Sequence, residues 1–125
     1  AVWSDPVDRL VRRHWPGPLT VVIPTVGEPF PAVSRGTATL GFRVPARPVL
    51  LDLLAALDRP LAATSANESG RPALADGGAV EATLGKGLDL IVSDMLTVSG
   101  MASTVVEWAL GGLCVLRRGS IDPAR

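Results

Sequence analysis

Apolar and polar residues follow one another along this chain in two rhythms, a helical one and a strict alternation. Val7, Leu10, Val11 and His14 fall at helical spacing behind Ser4-Asp5-Pro6, where a capping residue precedes a Pro in the first turn. Pro16 ends that helix by disfavouring helical geometry at Trp15. Leu19-Thr20-Val21-Val22-Ile23 reads as a strand stopped by Pro24, and residues 25–36 read as a loop. From Thr39 to Pro45 the alternation puts Leu40, Phe42 and Val44 on a core face and Thr39, Gly41 and Arg43 on the other. Pro48 to Leu57 is predicted as a helix packing Val49, Leu50, Leu53, Leu54 and Leu57 on one side. Leu61-Ala62-Ala63 reads as a buried strand running into a polar turn from Thr64 to Pro72. Asp76 to Leu84 is a weaker helix, Leu88 to Ser93 a short strand ending at Asp94, and Thr97 to Met101 a loop. Two further alternations, Ser103 to Trp108 and Leu113 to Arg117, are strands, and Cys114 inside the second reads as an inert small hydrophobe. Strands interleaved with helices predict an α/β domain with a mixed sheet, without repeat or linker.

The 125 residues suffice for one domain with a real core, and a hydrophobic share of 47% marks a folded chain. The apolar runs are too short to cross a bilayer, and no charged-then-apolar leader suggests secretion, so the cytoplasm is the expected compartment. One Cys and one His allow neither an internal disulfide nor a metal-ligand spacing. His14 reads as a structural residue at the edge of an apolar helix face. Twelve basic and twelve acidic residues cancel, so no basic field advertises nucleic acid. Lys86 is the single lysine; the other basic residues are Arg, whose planar fork suits carboxylates and phosphates. The chain starts at Ala1, which reads as the beginning of a piece of something longer.

Neither of the two common glycine-rich nucleotide cradles occurs, and one His supports no Ser-His-Asp set. What remains is a scatter of hydroxyl, amide and guanidinium groups at strand ends: Thr39, Arg43, Ser65, Asn67, Ser103 and Arg117. Such a set suits an anion held by charge-assisted hydrogen bonds. Gly41, between Thr39 and Arg43, reads either as room for a ligand or as part of a solvated strand face, and the residues alone leave both open. The turn at Ser65-Ala66-Asn67 reads equally as a surface turn built from common turn residues.

Five stretches, in order, carry a resemblance: Trp15-Pro16-Gly17-Pro18-Leu19-Thr20, Gly41-Phe42-Arg43-Val44-Pro45, Ala63-Thr64-Ser65-Ala66-Asn67-Glu68-Ser69-Gly70-Arg71-Pro72, Ser103-Thr104-Val105-Val106 and Leu116-Arg117-Arg118-Gly119. Together they resemble the YrdC family, the threonylcarbamoyl-AMP synthases of the TsaC type. The resemblance covers residues 1–125 as the C-terminal portion of a YrdC-like domain, with the N-terminal part missing. It implies a twisted mixed sheet with flanking helices and a concave ligand cleft. It implies that L-threonine, bicarbonate and ATP give threonylcarbamoyl-adenylate and pyrophosphate, with Mg accompanying ATP and no other cofactor. Partner proteins then transfer the threonylcarbamoyl group to tRNA. By the same resemblance Thr39, Ser65, Asn67 and Arg117 would contact ATP, and Arg43, Ala63 and Ser103 would contact L-threonine.

Three departures accompany it. Ala73 stands where the family commonly has Ser, Glu107 where it has Asp, and Lys86 cannot replace a basic motif expected further upstream. The resemblance leaves two other readings: a non-catalytic module binding tRNA or double-stranded RNA, and the carbamoyl-adenylate-handling domain of hydrogenase maturation.

Overall fold

The computed structural model describes residues 3–92, 101–109 and 111–123. The chain divides into two compact units, residues 1–60 with 102–125, and residues 61–101.

In the first unit, α1 (Asp5–His14) starts at Ser4 in extended backbone and carries Pro6 in its first turn. The Ser4 hydroxyl caps nothing; it is buried without a hydrogen-bond partner, and the helix start rests on the Asp8 N–H donating to the Ser4 carbonyl. Val7 and Val11 are the buried side of this helix. On its outer side Arg12 Nε donates to Asp8 at 2.6 Å, and this contact holds the Asp8 carboxyl below its ordinary range. The helix ends at Trp15, in extended backbone before a cis peptide bond to Pro16.

β1 (Leu19–Pro24), β2 (Thr39–Phe42), β3 (Thr104–Ala109) and β4 (Gly112–Arg117) form one sheet in the order β2-β1-β3-β4. β1 pairs antiparallel with β2 and parallel with β3, and β3 pairs antiparallel with β4, so the sheet is mixed as expected. Gly111, at φ +78°, turns the chain between β3 and β4. Alternation in β1 buries Leu19, Val21 and Ile23 against α1 and turns Thr20 and Val22 to the opposite face. Val7, Val11 and Val106 complete the core, with Phe42, Trp108 and Ile121 packed at its margin. Each such side chain removed from water contributes about 1.5–3 kcal/mol, which makes this small cluster the main cohesion of the unit.

Several expectations change. The loop at 25–36 contains a short helix, α2 (Pro31–Ser34), closed by Arg35 and Gly36 at positive φ. The second strand stops at Phe42 instead of Pro45, because the Val44 carbonyl accepts from the Gly17 N–H instead of continuing the ladder. α3 (Pro48–Leu57) has the predicted bounds, yet no side chain of it is buried. Val49 and Leu57 are exposed and Leu50, Leu53 and Leu54 half-buried, because a helix apolar on nearly all sides defines no single inward face. Cys114 is exposed rather than enclosed, since all of β4, at the sheet edge, is exposed.

In the second unit, α4 (Gly77–Leu84) forms where a weaker helix is expected, and Asp76 is its N-cap, accepting from the Ala79 N–H at 2.8 Å. Leu61-Ala62-Ala63 is not a buried strand; it is exposed and outside any ladder. Residues 88–92 form no strand either, and Ser93, Asp94 and residues 97–100 of the expected loop lie outside the described residues. Among the described residues no helix is long and apolar enough to cross a membrane.

Gly119 marks a very close backbone approach in the first unit. A Cβ there would overlap backbone atoms of Ala102, Ser103 and Thr104, which cannot rotate away. Gly119→Ala is therefore expected to lower stability by about 1–3 kcal/mol in urea unfolding. Gly87→Ala, where a Cβ meets nothing within 4 Å, is expected to stay within about 0.5 kcal/mol. Equal effects at the two positions would contradict the close approach.

Candidate functional site

The face of the sheet opposite α1 carries the polar groups. Phe42 opposes Val21 and Gly41 opposes Val22, so Thr39, Gly41 and Arg43 share the open face with Thr20 and Val22. Gly41 is closely approached by its neighbours: a Cβ there would lie 3.3 Å from Thr20 Cγ2 and 3.8 Å from Val22 Cγ2. Across the sheet, Thr20 Oγ1 is 2.9 Å from Ser103 Oγ. Arg117 reaches back from β4, its Nη2 donating to Ser103 Oγ at 3.1 Å. Its Nε and Nη2 also donate to the Ser103 carbonyl at 3.2 and 3.0 Å.

Arg43 is anchored at the other side of the face. Its Nε donates to the Gly17 carbonyl at 3.0 Å, and its terminal nitrogens bond to none of the described residues. Gly17 itself is obligatory, since a Cβ there would overlap the His14 carbonyl, and its N–H is held by Val44. The Trp15 indole N–H donates to the Leu19 carbonyl at 2.8 Å, tying the same turn to β1. The tryptophan, glycine and arginine of two separate sequence motifs thus form one support.

The backbone behind Ser103 is fixed by Thr104, fully buried at the start of β3. Its hydroxyl donates to the Ile121 carbonyl at 2.7 Å and accepts from the N–H groups of Gly119 and Ile121 at 3.1 and 3.3 Å. The segment after β4 is thereby latched beside Ser103, and with it the base of Arg117.

Of the candidate residues in the sequence, Ser103 and Arg117 are in contact on this face, Arg43 is anchored to Gly17 just past the end of β2, and Thr39 lies at the start of that strand. Thr20 is not among those candidates, although the alternation of Leu19-Thr20-Val21 already places it opposite the core face. Ala63, Ser65 and Asn67 belong to the second unit, in a loop that Asn67 holds closed. Its amide N–H groups donate to the Glu68 and Arg71 carbonyls at 2.8 and 3.0 Å, the Leu74 N–H donates to the Ala66 carbonyl, and Gly70 turns at φ +78°. Ser65 and Ala63 are exposed on that loop. Among the described residues no three His, Cys, Asp or Glu side chains gather as a metal site.

The family model described as "Telomere recombination", that of the Sua5, YciO and YrdC proteins, matches residues 2–119. The chain belongs to this family. A threonylcarbamoyl-AMP synthase of Schizosaccharomyces pombe is 39% identical over 121 residues, covering 90% of this chain and 29% of that protein. One of Pyrococcus abyssi is 32% identical over 117 residues, covering 94% of this chain and 34% of that protein. The crystal structure of P. abyssi Sua5 complexed with L-threonine superimposes with a TM-score of 0.88 at 31% identity, over 95% of this chain and 35% of that one. Escherichia coli YciO superimposes with a TM-score of 0.81 at 28% identity and covers 95% of this chain and 58% of that one. The chain thus spans about a third of the length of the first two synthases it matches. The Sua5/YciO/YrdC family accounts for the mixed sheet with flanking helices.

The latch at Thr104 has a direct test. Thr104→Val keeps the shape but strands two N–H groups and a carbonyl, so a loss of about 2–3 kcal/mol is expected in urea unfolding. Thr104→Ser keeps the hydroxyl and should lose about 1 kcal/mol, the worth of its missing methyl. A valine variant as stable as the serine one would show that the latch holds nothing.

Proposed function

We propose that this chain is the part of a cytoplasmic threonylcarbamoyl-AMP synthase that binds L-threonine and ATP, and that both units serve one YrdC-like domain. The observation that carries the reading is the open face of the sheet. There the guanidinium of Arg117 holds the hydroxyl pair of Thr20 and Ser103, and a second guanidinium, Arg43, is anchored to Gly17. The family match and the resemblance to a Sua5 bound to L-threonine support the choice of ligand.

In this reading Arg43 receives the carboxylate of L-threonine, because its terminal nitrogens form a planar fork and, among the described residues, only its Nε is engaged. Ser103 and, by the resemblance alone, Ala63 keep the threonine-side roles given to them above. Thr39, Ser65, Asn67 and Arg117 serve ATP, which brings its own Mg. The amino group of L-threonine attacks bicarbonate, a C–N bond forms and water leaves. A carbamate oxygen then attacks the α-phosphorus, an O–P bond forms, and the bond to the β-phosphate oxygen breaks to release pyrophosphate. Nothing in these steps requires a side chain as nucleophile. The chain's contribution is positioning and the stabilisation of negative charge by fixed cations. The mixed anhydride formed is an activated acyl donor, which partner proteins would pass to an adenosine in tRNA.

The first test is pyrophosphate release from ATP by this chain, which should require both L-threonine and bicarbonate. Titration calorimetry with each ligand stands beside it, and a chain that binds neither L-threonine nor ATP overturns the reading. Arg43→Ala should weaken L-threonine at least tenfold, as expected for a charge-assisted pair worth about 1.5–3 kcal/mol, with ATP nearly unchanged. Equal losses for both ligands would remove the role given to Arg43. Ser65→Ala should weaken ATP and spare L-threonine, and an unchanged ATP affinity would return that loop to a plain surface turn.

A further inference from the structure

We propose that Thr20 is a positioning residue for the amino-acid site: its hydroxyl sets the rotamer of Ser103 so that one O–H of the pair points at the bound anion. The inference rests on the reading of the open face as an L-threonine site. Ser103 is only 9% exposed, and its carbonyl is held by two nitrogens of Arg117. Its hydroxyl has two neighbours, Arg117 Nη2 at 3.1 Å and Thr20 Oγ1 at 2.9 Å. Arginine only donates, so Ser103 Oγ accepts there. The two hydroxyls then share two hydrogens, of which one bridges the pair and the other projects from it. Whichever hydroxyl is the bridging donor, the pair presents one O–H. A carboxylate or carbamate oxygen, which only accepts, is its natural partner.

Thr20 suits this role because its own rotamer is fixed from both sides. Its methyl lies toward the site of Gly41, where a Cβ would be 3.3 Å away, while its hydroxyl lies toward Ser103. With the hydroxyl removed, Ser103 Oγ retains a single tether to Arg117 and gains rotational freedom about its Cα–Cβ bond. The fold has no comparable need of that hydroxyl. Thr20 is half-buried on the face opposite the core, and valine would fit the same strand position.

Titration calorimetry of the chain with L-threonine, and separately with ATP, tests this across Thr20→Val, Thr20→Ser and Ser103→Ala, with thermal melting beside it. Thr20→Val should bind L-threonine roughly fivefold to tenfold more weakly, the scale of one neutral hydrogen bond, and ATP within about twofold of the native chain. Thr20→Ser, which keeps the hydroxyl and drops the methyl, should restore L-threonine affinity to within about twofold. Native L-threonine affinity in Thr20→Val overturns the inference. So does a serine variant as weak as the valine one, or a parallel loss of both ligands together with melting temperature. Should Thr20→Val fail to fold, Thr20→Ala against Thr20→Ser carries the same comparison. Ser103→Ala separates the two readings. If it binds L-threonine as the native chain does, the site reading falls and this inference with it. If it binds weakly while Thr20→Val binds normally, only the inference falls.

Discussion

The parallel pairing of β1 with β3 is the constraint on which the first unit depends. Leu19 opposes Thr104 and Val21 opposes Val106, so residues more than eighty positions apart share one ladder. A parallel pair cannot close by a hairpin and needs a long crossover, which here runs through β2, α3 and the whole second unit. The buried face of that pair is the centre of the core, since Leu19, Val21 and Val106 are each 0% exposed, with Val7 and Val11 of α1 packed on it. Its open face places Thr20 against Ser103. One register therefore decides both the cohesion of the unit and the geometry of the candidate site, and a slip of one residue would exchange the two faces.

The elements that carry their own local signal are legible in the sequence. α1 has its apolar stripe and its Pro, and β1 and β3 alternate along their length. Misreadings fall where burial depends on a partner rather than on the pattern. Leu61-Ala62-Ala63 is apolar, but apolarity alone does not supply a neighbouring strand, and the stretch is exposed. α3 and Cys114 repeat the lesson: hydrophobic residues imply burial only where another element covers them.

The candidate site is legible as a set of residue types and illegible as a network. Arg43, Ser103 and Arg117 stand out by chemistry and by resemblance, and the structure joins Ser103 to Arg117 and anchors Arg43 to Gly17. Thr20 escapes notice because a Thr inside a β-rich run looks like ordinary strand composition; only the cross-strand partner gives it significance. Gly17 and Gly119 look like turn residues, yet each is required by a backbone that passes where a Cβ would stand. Thr104 looks like strand composition too, and is instead a three-way hydrogen-bond hub for the segment behind Arg117.

The two arginines show why guanidinium, and not ammonium, stands at these positions. Each must be held by the fold and still face outward with charge to spare. Arg43 gives Nε to the Gly17 carbonyl, and among the described residues its terminal nitrogens bond to nothing, a planar fork that matches the two oxygens of a carboxylate. Arg117 gives both Nε and Nη2 to Ser103, so more of its guanidinium is taken up by the fold. A lysine has one nitrogen on a flexible stem and would have to choose between anchor and ligand. Under the proposed function the less engaged guanidinium of Arg43 takes the carboxylate of the amino acid, and the more fully anchored one of Arg117 serves the nucleotide.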